Sequence, residues 1–186
     1  MNAVWNGPKG RLWQRRACVR QNLQDDGVVA VKVLVFSDSH RRTAEMFFAI
    51  ETETPQAVLH LGDNTGDADE IRLAYPELAV YNVAGNNDFS FTAPDQQVIE
   101  LERMRMFLCH GHTMNVRRSA DGVYGSALRA GCAAALYGHT HTPDLHVKNG
   151  ITIINPGSIS LPRNGRPSYV RMEIFAGHCQ NQLVYL

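Results

Sequence analysis

Five short apolar runs in this chain each stop on a residue that can bind a metal or a proton. Val31-Lys32-Val33-Leu34-Val35-Phe36 leads into Asp38 and His40, Ala57–Leu61 into Asp63 and Asn64, and Leu78–Ala84 into Asn86, Asn87 and Asp88. Met104–Cys109 ends at His110, and Ala133–Tyr137 precedes His139 and His141. Runs of this length, rich in β-branched and aliphatic residues, read as buried strands. Between them lie segments of helical period. Ala44, Phe47 and Phe48 follow the first run, and Ala120, Val123, Tyr124, Ala127 and Leu128 precede Gly131, placed as a C-terminal stop. Strands alternating with helices predict an α/β domain. In open α/β sheets, ligands bind where loops gather at the carboxyl ends of strands. The last third changes to short strands, Leu145–Val147, Ile151–Ile154, Tyr169–Phe175 and Gln182–Leu186, with Asn149-Gly150 as a tight turn between the first two.

Size and charge narrow the reading. The 186 residues suit one domain with a real core, and 44% hydrophobic against 19% charged residues excludes wholesale disorder. No apolar stretch approaches the roughly 18 residues of a membrane-spanning helix. Cys18, Cys109, Cys132 and Cys179 are scattered without CxxC pairing, which suits reduced thiols and a cytoplasmic location. Charge is uneven although the total is zero: Lys9, Arg11, Arg15, Arg16 and Arg20 against Asp25 and Asp26 give the first 26 residues +3, so the remainder carries −3. Residues 1–30 read as an N-terminal extension, poorly ordered or not part of the physiological product, and 31–186 as the domain. An organellar transit peptide is the competing reading of the Arg-rich start, and a valine within Val28–Val31 is a candidate physiological start.

The motifs differ in weight. Ten Asp and eight His among 186 residues yield about 0.4 chance matches to D-x-H, so Asp38-Ser39-His40 alone says little. The same arithmetic for G-H-x-H yields about 0.03, which makes Gly138-His139-Thr140-His141 informative. Gly62-Asp63 or Gly85-Asn86 alone would be turns after strands. Their joint occurrence, each after an apolar run, points to a metal site built from Asp, His and Asn.

The series Asp38-Ser39-His40, Gly62-Asp63-Asn64, Gly85-Asn86-Asn87-Asp88, His110-Gly111-His112 and Gly138-His139-Thr140-His141 resembles the calcineurin-like metallophosphoesterases, and within them the small YfcE-type phosphodiesterases. Asn155-Pro156-Gly157-Ser158 and Leu161-Pro162-Arg163 resemble that subgroup's late loop. The resemblance covers Val31 to about Val184. It implies a four-layer α/β/β/α sandwich of the metallo-dependent phosphatase type with a two-metal centre. Asp38, His40, Asp63 and His141 would hold one divalent ion. Asp63, Asn86, His110 and His139 would hold the other, with Asp63 bridging. Carboxylate, amide and imidazole donors without thiolate suit Mn, Fe, Ni or Zn, and spacing does not choose among them; Mn is the ion expected. Cys109 adjoins His110 but faces the other side of its strand, and reads as core.

The activity so implied is hydrolysis of a small phosphodiester by a metal-bridging hydroxide, without a protein nucleophile. No G-x-S-x-G, G-x-G-x-x-G or Walker pattern offers another chemistry. Many family members carry His after the motif Asn, as acid for the leaving group; here Asn87 stands there, so acidic leaving groups should be favoured. His112 is a candidate substitute acid, its alternative being a structural role. Arg163 is a candidate phosphate contact or a solvated loop residue, and His60 reads as packing. The rival to catalysis is a protein-binding scaffold of the same fold, as in a retromer subunit. A nuclease is not expected, because the −3 domain offers no basic groove. No membrane partner is expected, and a homo-oligomer is compatible with the sequence.

Overall fold

A computed structural model describes residues 30–89 and 93–186. The expected extension, apart from Ala30, lies outside the described residues. The apolar runs form strands, in chain order β1 (Val31–Phe36), α1 (Ala44–Glu53), β2 (Ala57–His60), α2 (Thr65–Ala74), β3 (Ala79–Asn82), β4 (Gln96–Leu101) and β5 (Met104–Cys109). A 3-10 turn over His112–Met114 leads to α3 (Asp121–Arg129), β6 (Ala134–Leu136), β7 (Asp144–Lys148), β8 (Ile151–Asn155), β9 (Ser168–Phe175) and β10 (His178–Tyr185).

Two five-stranded sheets result, ordered β10-β9-β1-β2-β3 and β4-β5-β6-β8-β7. In the first, β1, β2 and β3 are parallel, joined through α1 and α2. In the second, β5, β6 and β8 are parallel, with α3 in the β5-to-β6 crossover. Alternation along the strands separates three cores. Val33, Val35, Leu59, Leu61, Met106, Leu108, Leu136 and Ile154 fill the space between the sheets. On the outer face of the first sheet, Leu34, Phe36 and Val58 meet Met46, Ala49 and Ile50 of α1 and Ile71 of α2. Phe107, Cys109, Ala135 and Ile153 meet Val123 and Ala127 of α3 on the outer face of the second. This is the four-layer α/β/β/α sandwich. Burial pushes the Cys109 thiol up to about 12, as expected of a core sulfur.

Some helix faces differ from the sequence reading. Helix α1 buries Met46, Ala49 and Ile50 rather than Ala44 and Phe48, and Phe48 is 60% exposed. The helix ends at Thr54 with φ 47°, which fixes a rotation that the pair of phenylalanines obscured. Gly131, at φ 64°, does stop α3, the Cys132 amide donating back to Ala127. Asn149 and Gly150 turn β7 into β8 with both φ positive. Glu102-Arg103 and Ala176-Gly177 make the same turn between β4 and β5 and between β9 and β10. Among the described residues no helix is long and apolar enough to cross a membrane.

Candidate metal centre

The ends of β1, β2, β5 and β6 bring Asp38, His40, Asp63, His110, His139 and His141 to one edge, joined by Asn86 beyond β3. Ligand atoms of Asp38, His40, Asp63 and His141 all lie within 4.8 Å of one another. Across Asp63 stands a second group. His110 Nε2 is 3.3 Å from Asp63 Oδ1 and 3.1 Å from Asn86 Oδ1. The His139 ring packs edge-on to His110, centroids 5.1 Å apart. All seven residues singled out in the sequence are therefore gathered in one place.

Backbone hydrogen bonds aim the rings. His110 Nδ1 donates to Leu61 O (2.7 Å) and His141 Nδ1 to Leu161 O (2.6 Å), so each neutral ring turns its Nε2 lone pair inward. Those lone pairs meet other acceptors. His141 Nε2 stands 3.3 Å from His40 Nε2 and 3.2 Å from Asp38 Oδ1, and that buried oxygen has no hydrogen-bond partner. His110 Nε2 likewise faces only oxygens. Acceptors converging on one another around an orphaned carboxylate oxygen are what a cation would satisfy, and the Asp, Asn and His donor set fits a divalent metal.

Electrostatics within the protein run the same way. Burial opposes ionisation of Asp38, but a hydrogen bond from His141 in its protonated form, in place of the neutral ring's lone pair, acts with the His110 charge and the Ser37 hydroxyl to hold the carboxyl below its ordinary value. The same bond to Asp38 raises His141. Burial, then the charges of His110 and Arg117, push His139 down to about 4.

Five of these seven residues sit at positive φ without being glycine: Asp38 (54°), His40 (49°), Asp63 (59°), His139 (67°) and His141 (56°). Such backbone costs about 1–3 kcal/mol at each position and persists only where neighbours over-determine it. The neighbours are polar. Asp88 accepts four amides, from Asp63 (3.0 Å), Asn64 (2.9 Å), Thr65 (2.7 Å) and Gly85 (2.7 Å), tying the β2 loop to the β3 loop. Ser158 Oγ donates to Asp38 O (2.8 Å) and Ser160 Oγ to Ser39 O (2.7 Å), so the late loop clasps the first ligand turn. Gly85 has no room for a side chain, since a Cβ there would lie 2.2 Å from Asp63 Oδ1.

A buried chain of hydrogen bonds lies beneath. The Gly62 amide donates to His60 Nδ1 (3.3 Å), which leaves Nε2–H for Ser39 Oγ (2.8 Å), and Ser39 donates to Asp67 Oδ2 (2.6 Å). Asp67 also accepts the Arg41 amide (2.9 Å). His60 is thus not mere packing but a fully buried polar strut between the loops carrying Asp38 and Asp63.

Asn87 donates from its amide and its side chain to the two oxygens of Asp63, at 3.0 and 2.7 Å. His112 stacks beside the second group, its centroid 5.4 Å from that of His110, with a buried Nδ1 that lacks a partner among the described residues. Burial, then the His110 charge, lower its pKa. His146 bonds Asp144 away from the cluster.

Two facing sheets that deliver oxygen and imidazole donors to a shared edge define a metallophosphatase-type sandwich. Residues 31–177 match the calcineurin-like phosphoesterase superfamily domain, and the chain belongs to that family. A Mycoplasma pneumoniae protein named a probable metallophosphoesterase is 30% identical over 151 residues, 78% of this chain and 91% of that one. Phosphodiesterase YfcE of Escherichia coli K12 is 39% identical over 80 residues, 43% of this chain and 39% of that one. Among solved structures, a Streptococcus pneumoniae protein described as a predicted phosphoesterase superposes with TM-score 0.70 at 28% identity, covering 85% of this chain and 91% of that one. Vps29 of Entamoeba histolytica with bound zinc gives TM-score 0.62 at 23% identity over 83% of this chain and 98% of that one, a likeness of fold alone.

Proposed function

We propose that this protein is a dinuclear metal-dependent phosphodiesterase acting on a small phosphodiester. One observation carries the reading: the two oxygens of Asp63 face different donor groups. Oδ2 faces His40 Nε2 at 3.8 Å, within the set completed by Asp38 and His141, while Oδ1 faces His110 Nε2 at 3.3 Å, beside Asn86 and His139. A carboxylate so shared suits two cations, proposed as Mn, with Ni, Fe or Zn as alternatives that the same oxygen and imidazole set accepts. When bound, such ions acidify a water as nucleophile and neutralise charge on the phosphoryl oxygens.

The chain's own groups supply the rest. Asn87 orients Asp63 and cannot donate a proton as an acid. His112, beside His110 at the rim, is the residue assigned to the leaving-group proton. Cys109, Cys132 and Cys179 are free, in keeping with a reducing cytoplasm.

Metal analysis and turnover of bis-p-nitrophenyl phosphate in Mn²⁺ test the proposal. The expected outcome is two metal equivalents per chain, and at least about a hundredfold loss of turnover in Asp63→Asn. A metal-loaded protein without turnover would favour the second reading, a docking scaffold of the same fold.

A further inference from the structure

Next to the donor cluster lies a cleft of about 440 Å³ lined by Arg117, Tyr137, Thr140, Thr142, Asp144 and Arg163. It shares a wall with the cluster, because Thr140 links His139 to His141 and the Arg163 amide donates to His141 O at 3.1 Å. The ion pairs of lysine and arginine among the described residues run through Lys32, Arg72, Lys148 and Arg171. Among the described residues Arg117 and Arg163 have none. The one carboxylate in the cleft is already engaged: Asp144 accepts from Tyr137 Oη at 2.9 Å and pairs with His146 Nδ1 at 2.8 Å. Two uncommitted guanidiniums therefore face one cleft in a domain whose overall charge is −3.

We infer that this cleft, formed by Arg117 and Arg163, binds a second phosphate, carried on one arm of the diester substrate. A guanidinium presents a planar fork that takes two phosphate oxygens at once, and two such forks match a dianionic monoester. The position beside His139 and His141 places that monoester on the same molecule as the scissile diester. The −3 domain charge opposes a long polyanion and favours a small, nucleotide-like substrate. The inference rests on the phosphodiesterase reading, and it deepens that reading by naming the substrate's second anionic group.

The test compares thymidine 5′-(p-nitrophenyl phosphate) with its 3′-phosphorylated counterpart, which differ only in the extra monoester. The native enzyme should prefer the 3′-phosphorylated substrate by about tenfold or more in kcat/KM, as charge-assisted bonds to a guanidinium allow. That ratio should fall toward one in Arg117→Ala and Arg163→Ala, any general loss of activity cancelling in it. A native ratio near one, or a ratio unchanged in both variants, overturns the inference. If neither substrate turns over, the phosphodiesterase reading fails. Calorimetric binding of thymidine 3′,5′-bisphosphate to the chelated protein then decides the cleft separately. Binding that weakens about tenfold in either variant supports it, and binding absent or insensitive to both overturns it.

Discussion

Asp88 is the residue whose removal should tell most about how the centre is held. Its Oδ2 accepts the amides of Asp63 and Gly85, and its Oδ1 those of Asn64 and Thr65. Asp88→Asn keeps the shape but replaces one oxygen by an NH2 group, so two backbone donors lose their acceptor and face another donor. Each orphaned buried donor costs about 1–3 kcal/mol. Because Asp88 is half-buried rather than enclosed, the lower part of that range applies, and the sum is about 2–3 kcal/mol. In a domain of this size each kcal/mol moves Tm by about 2–4 °C, so a fall of about 5–10 °C is expected. Thermal unfolding followed by circular dichroism, in EDTA so that metal does not mask the change, measures it. Asp69→Asn is the control. That residue pairs with Arg72 at 2.6 Å but is 67% exposed, and its loss should move Tm by about 2 °C at most. If Asp88→Asn falls no further than Asp69→Asn, the four amide bonds do not hold the loops and the reasoning fails.

Three further outcomes follow from the same geometry. Burial lowers the His60 pKa, so the folded protein refuses a proton that the unfolded chain takes up below about pH 6.5. Stability of the chelated protein should therefore fall as pH drops through that value, and less steeply in His60→Gln; identical slopes from urea unfolding at pH 7 and 5.5 would contradict this. Gly85→Ala must displace Asp63, whose Oδ1 would lie 2.2 Å from the new Cβ, so metal affinity by calorimetry should drop by at least about tenfold. Asn87 cannot act as an acid, and burial lowers the His112 pKa so that this ring holds its proton weakly; kcat/KM should therefore be higher for aryl than for alkyl phosphodiesters, and equal values on both would refute that reasoning.

The sequence made some layers of this structure legible and hid others for physical reasons. Strands β1, β5 and β6 announce themselves because both faces are largely buried and their runs are apolar but for Lys32 and Arg105. Helix α2 was missed because its buried face is Thr65, Asp67, Ala68 and Ile71, only one of them a large hydrophobe. The turn at Asn149-Gly150 carries its signature, whereas Glu102-Arg103 adopts the same conformation without a glycine. The expected ligands stood out because each lies in the loop directly after a strand. The roles of Asp88 and Ser158, which the motifs include, and of Asp67 and Ser160, which they do not, are hidden because these groups bond chiefly to backbone amides and carbonyls, which leave no pattern of side-chain types. Arg117 carries no signal in the sequence either; only the fold brings it to the cleft that Arg163 also lines.

The clasp of Ser158 and Ser160 on Asp38 and Ser39 joins positions 120 to 122 residues apart. At about 5–20 residues per second, a ribosome delivers the clasp roughly 6–24 seconds after the aspartate it seats. During that interval the carboxylates and imidazoles of the early loops exist without the geometry that lets them discriminate between cations. Loading belongs to the finished sandwich. Any cation this centre takes would thus come from the pool present where folding ends, not from the one where synthesis begins.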